Sequence, residues 1–492
     1  MITWGISANS HDASLAVFDS SSSSLDLRLQ FASHSERFSG IKNDAHLNKK
    51  LLDYALQWGR PSEVIWYEKP FKKTLRQLYA GQGWLAKENN IKQYLKNYGI
   101  NAPLGYSNHH ESHAAAGYYT SGFTDATILC IDSIGEFETL TIWEGKGNNI
   151  TKRFSQGYPH SVGLFYSAMT QRVGLKPNED EYILMGMSAF GDPKLYYDEL
   201  MHTFIEMHRW SPDIRFKHNL HKGCMWWRPE INKWEDHINI AAATQEIYAT
   251  IFKHLIDYCR TNFESNNIVI MGGCALNCVA NDYADDIYQN TWIMPNPSDA
   301  GSSVGAVLAK KQMHIDWKGP YLGYNIDREY PVEQLLKELE TNQIVGVANG
   351  KAEFGPRALG NRSLLADPRG ADIKDKVNTI KKRQMYRPFA PAILEEHAEK
   401  YFYGSVGPYM QYTSKCKEKE QFPAIVHVDG TSRVQTVSKN DNSGFRELLE
   451  KWYEKTGCPM LLNTSLNIKG KPMINDENDI EMFCKKYKVS VY

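Results

Sequence analysis

Residues 108–118 read NHHESHAAAGY, three histidines and a glutamate ahead of a run of small residues. On a helix His109 and His113 are four apart and share a face, while His110 points elsewhere. Two imidazoles so spaced can hold one metal ion. The zincin pattern H-E-x-x-H is not met, because the residues run H-E-S-H. Two aspartates could complete such a site: Asp132, closing the apolar run ATILCID, and Asp299, in the loop NPSDAGSS. Two His with carboxylates suit iron, manganese or zinc. Histidines hydrogen-bonded at a helix start, with each aspartate serving as a turn or cap residue, are the alternative.

A second set of residues suits polyanions. Arg357 and Arg362 lie in EFGPRALGNRS, and Lys381, Arg383 and Arg387 in KKRQMYRPFAP. Arginine offers planar forks and lysine a point charge for phosphates beside Gly- and Pro-rich turns. Asn463 and Ser465 of LLNTSLN would add neutral polar contacts beside such charges. A solvated basic face or nonspecific RNA contact is the competing reading.

These residues need a scaffold. The opening ITWGISANSHDASLAVFD reads as two strands joined by a polar turn, and ATILCIDSIGEFETLTIWEG repeats that design. Turn N–H groups of two such hairpins are what a phosphate-gripping, duplicated α/β domain needs. Two unrelated hairpins fit the pattern as well. Residues between these hairpins, from DAHLNKKLL to NNIKQYLKNYG, are mostly helical in period. Residues 237–262 predict a long amphipathic helix. NIVIMGGCALN predicts a strand followed by a Gly-Gly turn where a ligand can approach the backbone. The Gly/Ser loop at 299–303 opens a small-residue helix, whose N-terminus attracts anions. Composition shifts near residue 328, the expected domain boundary.

The 492 residues carry a net charge of −1, which supplies no global field for nucleic acid or membrane. No apolar stretch approaches the ~20 residues of a membrane span. Eight cysteines without a C-x-x-C pair read as buried thiols in a reducing, cytoplasmic setting. Cys274 and Cys278 have no matched base and are read as structural.

The motifs NSHDAS, HHxxHAAAGYY, CIDSIGE, PHSVGLFYSAMT, GGCALN, NPSDAGSSVGA, EFGPRALGNRS, RPFAPAIL and LLNTSLN together resemble the NodU/CmcH-type O-carbamoyltransferases, the group that contains TobZ, over nearly the whole chain. The resemblance implies an α/β chain. A Kae1-like domain (actin/Hsp70-type, duplicated ribonuclease H-like) would span 1–327, completed by the tail 468–492. A YrdC-like domain would span 328–467. It further implies that ATP, with Mg, and carbamoyl phosphate form carbamoyl-adenylate and pyrophosphate in the YrdC-like domain. The carbamoyl group would then pass to an acceptor hydroxyl beside an iron-like metal, with Mn or Zn as alternatives.

Carried over by position, His109, His113, Asp132 and Asp299 would be the metal ligands. His11 and the adjacent Asp12 would serve the transfer step. Gly135, Gly272, Gly273, Asn277, Gly301 and Ser302 would cradle the adenylate. Arg357, Arg362, Lys381, Arg383, Arg387, Asn463 and Ser465 would hold ATP and carbamoyl phosphate. A homodimer is left open. Where the family often has lysine, in E-G-K-V-M-G, this chain has Ile183, a variant similar to virus-encoded members.

Residues 208–234 hold six Lys/Arg against two Asp/Glu, interleaved with four Trp. Cations with aromatic faces suit bases and phosphates, and a locally packed lid is the plainer reading. The expected acceptor is therefore a hydroxymethyl group on a pyrimidine of DNA or of a nucleotide, taken as single strand or flipped out. A sugar or antibiotic hydroxyl is the alternative, and threonylcarbamoyl-type tRNA modification a more distant one.

Overall fold

The computed structural model describes residues 1–20, 27–82, 89–441 and 443–492. The chain divides into two units, 1–32 with 45–317 and 33–44 with 318–492.

In the first unit, β1 (Ile2–Ser7) pairs antiparallel with β2 (Ser14–Ser20) and parallel with β4 (Glu63–Trp66). β5 (Leu104–Tyr106) continues the sheet in parallel and β3 (Leu27–His34) flanks β2, giving the order 3-2-1-4-5. A second sheet starts from β6 (Asp125–Gly135), antiparallel to β7 (Glu138–Lys146), which carries β8 (Asn149–Gly157). After a small hairpin of β9 (Ile205–Met207) and β10 (Ile214–Phe216), β11 (Asn267–Met271) pairs parallel with β6 and with β12 (Asn290–Trp292). The order 8-7-6-11-12 repeats 3-2-1-4-5 strand for strand. This is the duplicated ribonuclease H-like arrangement, and the two hairpins read from the sequence are its matching first pairs. β4 lies inside the region read as helical, since a four-residue apolar run is too short to break a helical pattern by period alone.

Each repeat ends in a helix, His109–Thr120 after β5 and Ser302–Lys311 after β12. The two cross closely. A Cβ on Gly305 would lie 1.8 Å from the Ser112 carbonyl oxygen, so only glycine permits this approach. The small residues of AAAG and SSVGA, fully buried on both helices, exist to let the backbones meet. The long helix is present as Trp234–Asn262.

In the second unit, β13 (Tyr321–Ile326) pairs with β15 (Gly350–Glu353). The main sheet involves β14 (Ile344–Ala348), β16 (Arg362–Ala366) and β17 (Ala390–Leu394). A minor sheet holds β18 (Phe402–Tyr403), β19 (Ser414–Cys416) and β20 (Thr431–Ser432). With β21 (Gln435–Val437) and β22 (Met460–Ser465) the main order is 14-16-22-17-21, antiparallel except for the last pair.

The compact units divide the chain differently from the sequence expectation. The division falls at 318 rather than 328, and residues 33–44 join the second unit. The tail 468–492 also belongs to the second unit instead of completing the first. Ile474, Ile480, Phe483 and Val489 enter its apolar core. Gly346 N–H donates to Ser490 O at 2.8 Å, Ala348 N–H to Tyr492 O at 2.8 Å, and Tyr492 N–H to Gly346 O at 3.1 Å. The cause is the edge of β14, whose backbone groups need partners that the last residues supply.

Among the described residues no helix is long and apolar enough to cross a membrane. All eight cysteines are free.

Candidate metal centre

Asn108 caps the helix His109–Thr120 through a capping box with Glu111, which fixes where the helix begins and hence which way its histidines face. His109 and His113 then present Nε2 atoms 3.2 Å apart. Asp132 is freed by a break in its strand: pairing of β6 with β11 stops at Cys130, and the register with β7 shifts after Ile131. Its Oδ2 lies 3.3 Å from His109 Nε2 and 3.8 Å from His113 Nε2. Asp299 opens the 3-10 turn before the helix Ser302–Lys311, and its Oδ1 lies 3.2 Å from His109 and 3.3 Å from His113. All four donor atoms fall within 4.8 Å of one another.

These separations test the metal reading. Ligands bonded to one transition ion at about 2.0–2.2 Å stand roughly 3.0–3.6 Å apart as neighbours on its coordination shell. Four of the five separations, at 3.2–3.3 Å, meet that spacing, and His113–Asp132, at 3.8 Å, lies just outside it. Two nitrogens with two carboxylates suit iron, manganese or zinc. The histidines are buried, Asp132 nearly so and Asp299 partly.

The electrostatics favour positive charge here. Burial opposes a proton on His109, but Asp299, Asp132 and Glu68 outweigh it and hold its pKa well above the usual value. Burial raises both aspartates, and Asp132 is further raised by Asp299, yet the two histidines leave both lowered, Asp299 strongly. A point that attracts a proton this strongly also attracts a cation, which competes for the same lone pairs. His110 points away, as its position predicts, with Nδ1 2.9 Å from Thr141 Oγ1. Burial, then the charge of His109, pushes it down to about 3, so it stays neutral.

The neighbouring residues fall into two groups. Gly273 N–H donates to Asp132 Oδ1 at 3.2 Å, and Ser302 Oγ lies 3.4 Å from His113 Nδ1. Both residues, assigned to the adenylate from sequence, touch the ligand set. Gly135 leaves room for the His109 ring, since a Cβ there would come within 2.1 Å of His109 Cδ2. Gly272 adopts φ 90° against the Ile131 carbonyl, and Gly301 sits on the Asn296 carbonyl. Asn277 exchanges two 3.0 Å amide hydrogen bonds with Gln245, whose Oε1 also accepts from Tyr166. His11 is exposed and Asp12 half-buried in the β1–β2 turn. That turn is tied to the centre by Ser14 Oγ, which donates to Ala300 O at 2.6 Å beside Asp299.

Sequence reasoning missed Glu68. It follows β4 in WYEKP, is buried, and places Oε2 3.7 Å from His109 Nδ1. A single charged residue closing an apolar run was the available signal.

In the second unit the anion-binding set divides. Arg362 is fully buried, and its guanidinium donates to the carbonyls of Asn475, Asn349, Gly350, Asn361 and Tyr324. The glycine-rich turns bring carbonyls to this arginine, which engage its guanidinium in place of the open fork expected for a phosphate. Lys381 is likewise buried and spends its ammonium on Ser465 O and Oγ and on Asn467 O and Oδ1. Burial, then the charges of Arg383 and Arg387, holds its pKa well below the usual lysine range. Asn463 Nδ2 donates to Ala358 O and Gln435 Oε1. Arg357, Arg383 and Arg387 are partly exposed, with Arg383 over the Phe389 ring at 4.2 Å. The loop bearing Arg357 is shaped by Glu353, whose Oε1 accepts the backbone N–H groups of Leu359, Asn361 and Arg362 at 2.7, 2.9 and 3.2 Å.

Comparison with known proteins places this chain. The carbamoyltransferase N-terminus model matches residues 63–308 and the carbamoyltransferase C-terminus model matches 336–492. The chain belongs to the carbamoyltransferase family and is a transferase of the NodU/CmcH type. Nodulation protein NolO of Bradyrhizobium diazoefficiens is 32% identical over 76% of this chain and 75% of its own length. The 3'-hydroxymethylcephem-O-carbamoyltransferase of Amycolatopsis lactamdurans is 26% identical over 98% and 96%. An uncharacterized protein of Synechocystis sp. is 30% identical over 96% and 92%. Full-length HypF in its phosphate- and nucleotide-bound form aligns with 63% of this chain and 55% of its own, at 12% identity and a TM-score of 0.35.

Proposed function

We propose that this carbamoyltransferase forms carbamoyl-adenylate from carbamoyl phosphate and MgATP and passes the carbamoyl group to a hydroxymethyl acceptor. The observation that carries this reading is the convergence of His109, His113, Asp132 and Asp299 in a chain of this family. In the first half-reaction one water is consumed, and pyrophosphate and phosphate leave as carbamoyl-adenylate forms. Arg357, Arg383 and Arg387 neutralise the polyanions there, and Ser465, held by Lys381, borders them.

In the second half-reaction the acceptor oxygen bonds the carbamoyl carbon, the bond to the phosphate of AMP breaks, and the hydroxyl proton goes to His11 as general base. Bound iron, manganese or zinc would supply Lewis acidity, polarising the carbonyl or acidifying the hydroxyl. His109, His113, Asp132 and Asp299 would hold that ion. Gly272, Gly273 and Asn277 line the adenylate, and Asp12, next to His11 in the same turn, serves the transfer step with it.

The acceptor class rests on two supports. A relative aligned over nearly the whole chain is named for a hydroxymethyl acceptor. Arg209 stacks over the exposed Trp210 ring at 5.0 Å, a pair suited to a nucleotide base and phosphate, which makes a hydroxymethylpyrimidine nucleotide or single-stranded DNA the preferred carrier. The basic stretch is thinner than its composition: Arg215 pairs with Asp213, Arg228 with Glu199 and Glu230, and Trp227 is buried. Pyrophosphate release from ATP should require carbamoyl phosphate, and mass spectrometry should find one carbamoyl added to a hydroxymethylpyrimidine carrier. Efficient carbamoylation of sugars with none of such carriers would overturn the acceptor class. ATP turnover that ignores carbamoyl phosphate would overturn the whole scheme.

A further inference from the structure

The helix Pro70–Tyr79 is turned inside out. Phe71 is 74% exposed and Tyr79 71%, while Lys73 and Arg76 are buried. Such an inversion sacrifices apolar burial, so the inward cations need partners that repay it. Arg76 donates to Glu136 O at 3.2 Å and Gln82 Oε1 at 2.7 Å. Lys73 Nζ stands 2.7 Å from Glu68 Oε1 and 2.8 Å from Asn9 O, in the β1–β2 turn. The other Glu68 oxygen faces His109 Nδ1 at 3.7 Å, an ion-pair distance. That Nδ1 is buried, with no hydrogen-bond acceptor among the described residues.

We propose that Glu68 is a positioning residue of the metal centre, and that Lys73 holds it in place while anchoring the β1–β2 turn. An imidazole that gives Nε2 to a cation carries its proton on Nδ1. The Glu68 charge keeps that proton there and aims the Nε2 lone pair at the aspartates. Lys73 fixes the carboxylate and, through Asn9 O, sets the turn that bears His11 against the same centre. Carboxylates behind metal-bound histidines typically tune affinity in this way. The inference rests on the metal reading proposed above.

The test is titration of metal-free protein with Co2+, followed by visible absorption, for wild type, E68A, E68D and the double variant E68A/K73M. E68A should bind Co2+ about 10–100-fold more weakly, with E68D recovering most of the loss. The His109 Nδ1–H resonance of the wild type should move or vanish in E68A. The double variant removes both buried charges and gives the same reading if E68A alone does not fold. Co2+ affinity and spectrum unchanged in both E68A and the double variant would overturn the role of Glu68 while leaving the metal centre standing. Failure of the wild type to bind Co2+ would overturn both.

Discussion

Asp299 Oδ1 lies 3.2 Å from His109 Nε2 and 3.3 Å from His113 Nε2, so a single oxygen from a distant loop touches two imidazoles one helical turn apart. Such a contact brings three donors to one point. Replacing His113 by Ala or Asp299 by Asn should therefore abolish tight metal binding, taking elemental analysis from about one ion per chain to about a tenth or less, with near-native circular dichroism. Full metal content in both variants would show that the four groups are a hydrogen-bond network only.

Gly135 should be intolerant of any side chain for a local reason. A methyl group would press on the His109 ring, and overpacking of this kind costs about 1–3 kcal/mol. G135A should melt lower and bind Co2+ at least about tenfold more weakly, as the imidazole turns off its ligating axis. Unchanged Co2+ affinity would mean the ring moves without loss of geometry.

Arg362 and Arg357 should separate cleanly. R362M removes the buried donor shared by five backbone carbonyls and should lower unfolding free energy by about 3–5 kcal/mol. R357A, on a partly exposed side chain, should shift stability by less than about 1 kcal/mol and raise the KM for ATP or carbamoyl phosphate. Denaturant melts paired with initial rates check both. A stable, catalytically impaired R362M would restore that arginine to the anion site.

Acid should loosen the second unit through a surface clamp. Arg446 binds Glu396 in a two-pronged pair, with contacts of 2.8 and 2.5 Å. That hydrogen bonding, against burial, brings Glu396 down to about 2. A carboxylate lowered on folding stabilises above its unfolded pKa of about 4.3 and loses that contribution as pH falls towards about 2. The side chain is 48% exposed, so solvent screening keeps the effect below about 1 kcal/mol. E396Q should cost stability at pH 7 and converge with wild type near pH 2 in acid-dependent thermal melts. A constant gap at every pH would exclude the charge as the cause.

The histidine helix was legible because 3.6-residue periodicity and a cap residue are local properties. His109, His113 and the outward His110 follow from spacing alone. Asp132 and Asp299 were named correctly as neighbours, but what frees Asp132 is a register break against β7, which no single strand encodes. Arg362 shows where local pattern stops being informative. A glycine-rich loop around arginine reads alike whether the turn exposes N–H groups to an anion or carbonyls to the arginine, and here it exposes carbonyls. Glu68 stayed hidden because its partners, Lys73 and His109, are assembled by tertiary packing. The packing of the tail is not legible locally, because the edge of β14 that it borders is visible only once the sheet order is known.

The repeated strand order has a mechanical corollary. His109 and His113 come from the closing helix of the first repeat, whereas Asp132 and Asp299 come from the second. An ion held by all four acts as a staple across the seam between the repeats. Its occupancy would stiffen that seam as a cross-link does, coupling the unfolding of one repeat to the other and raising the melting temperature with free metal concentration.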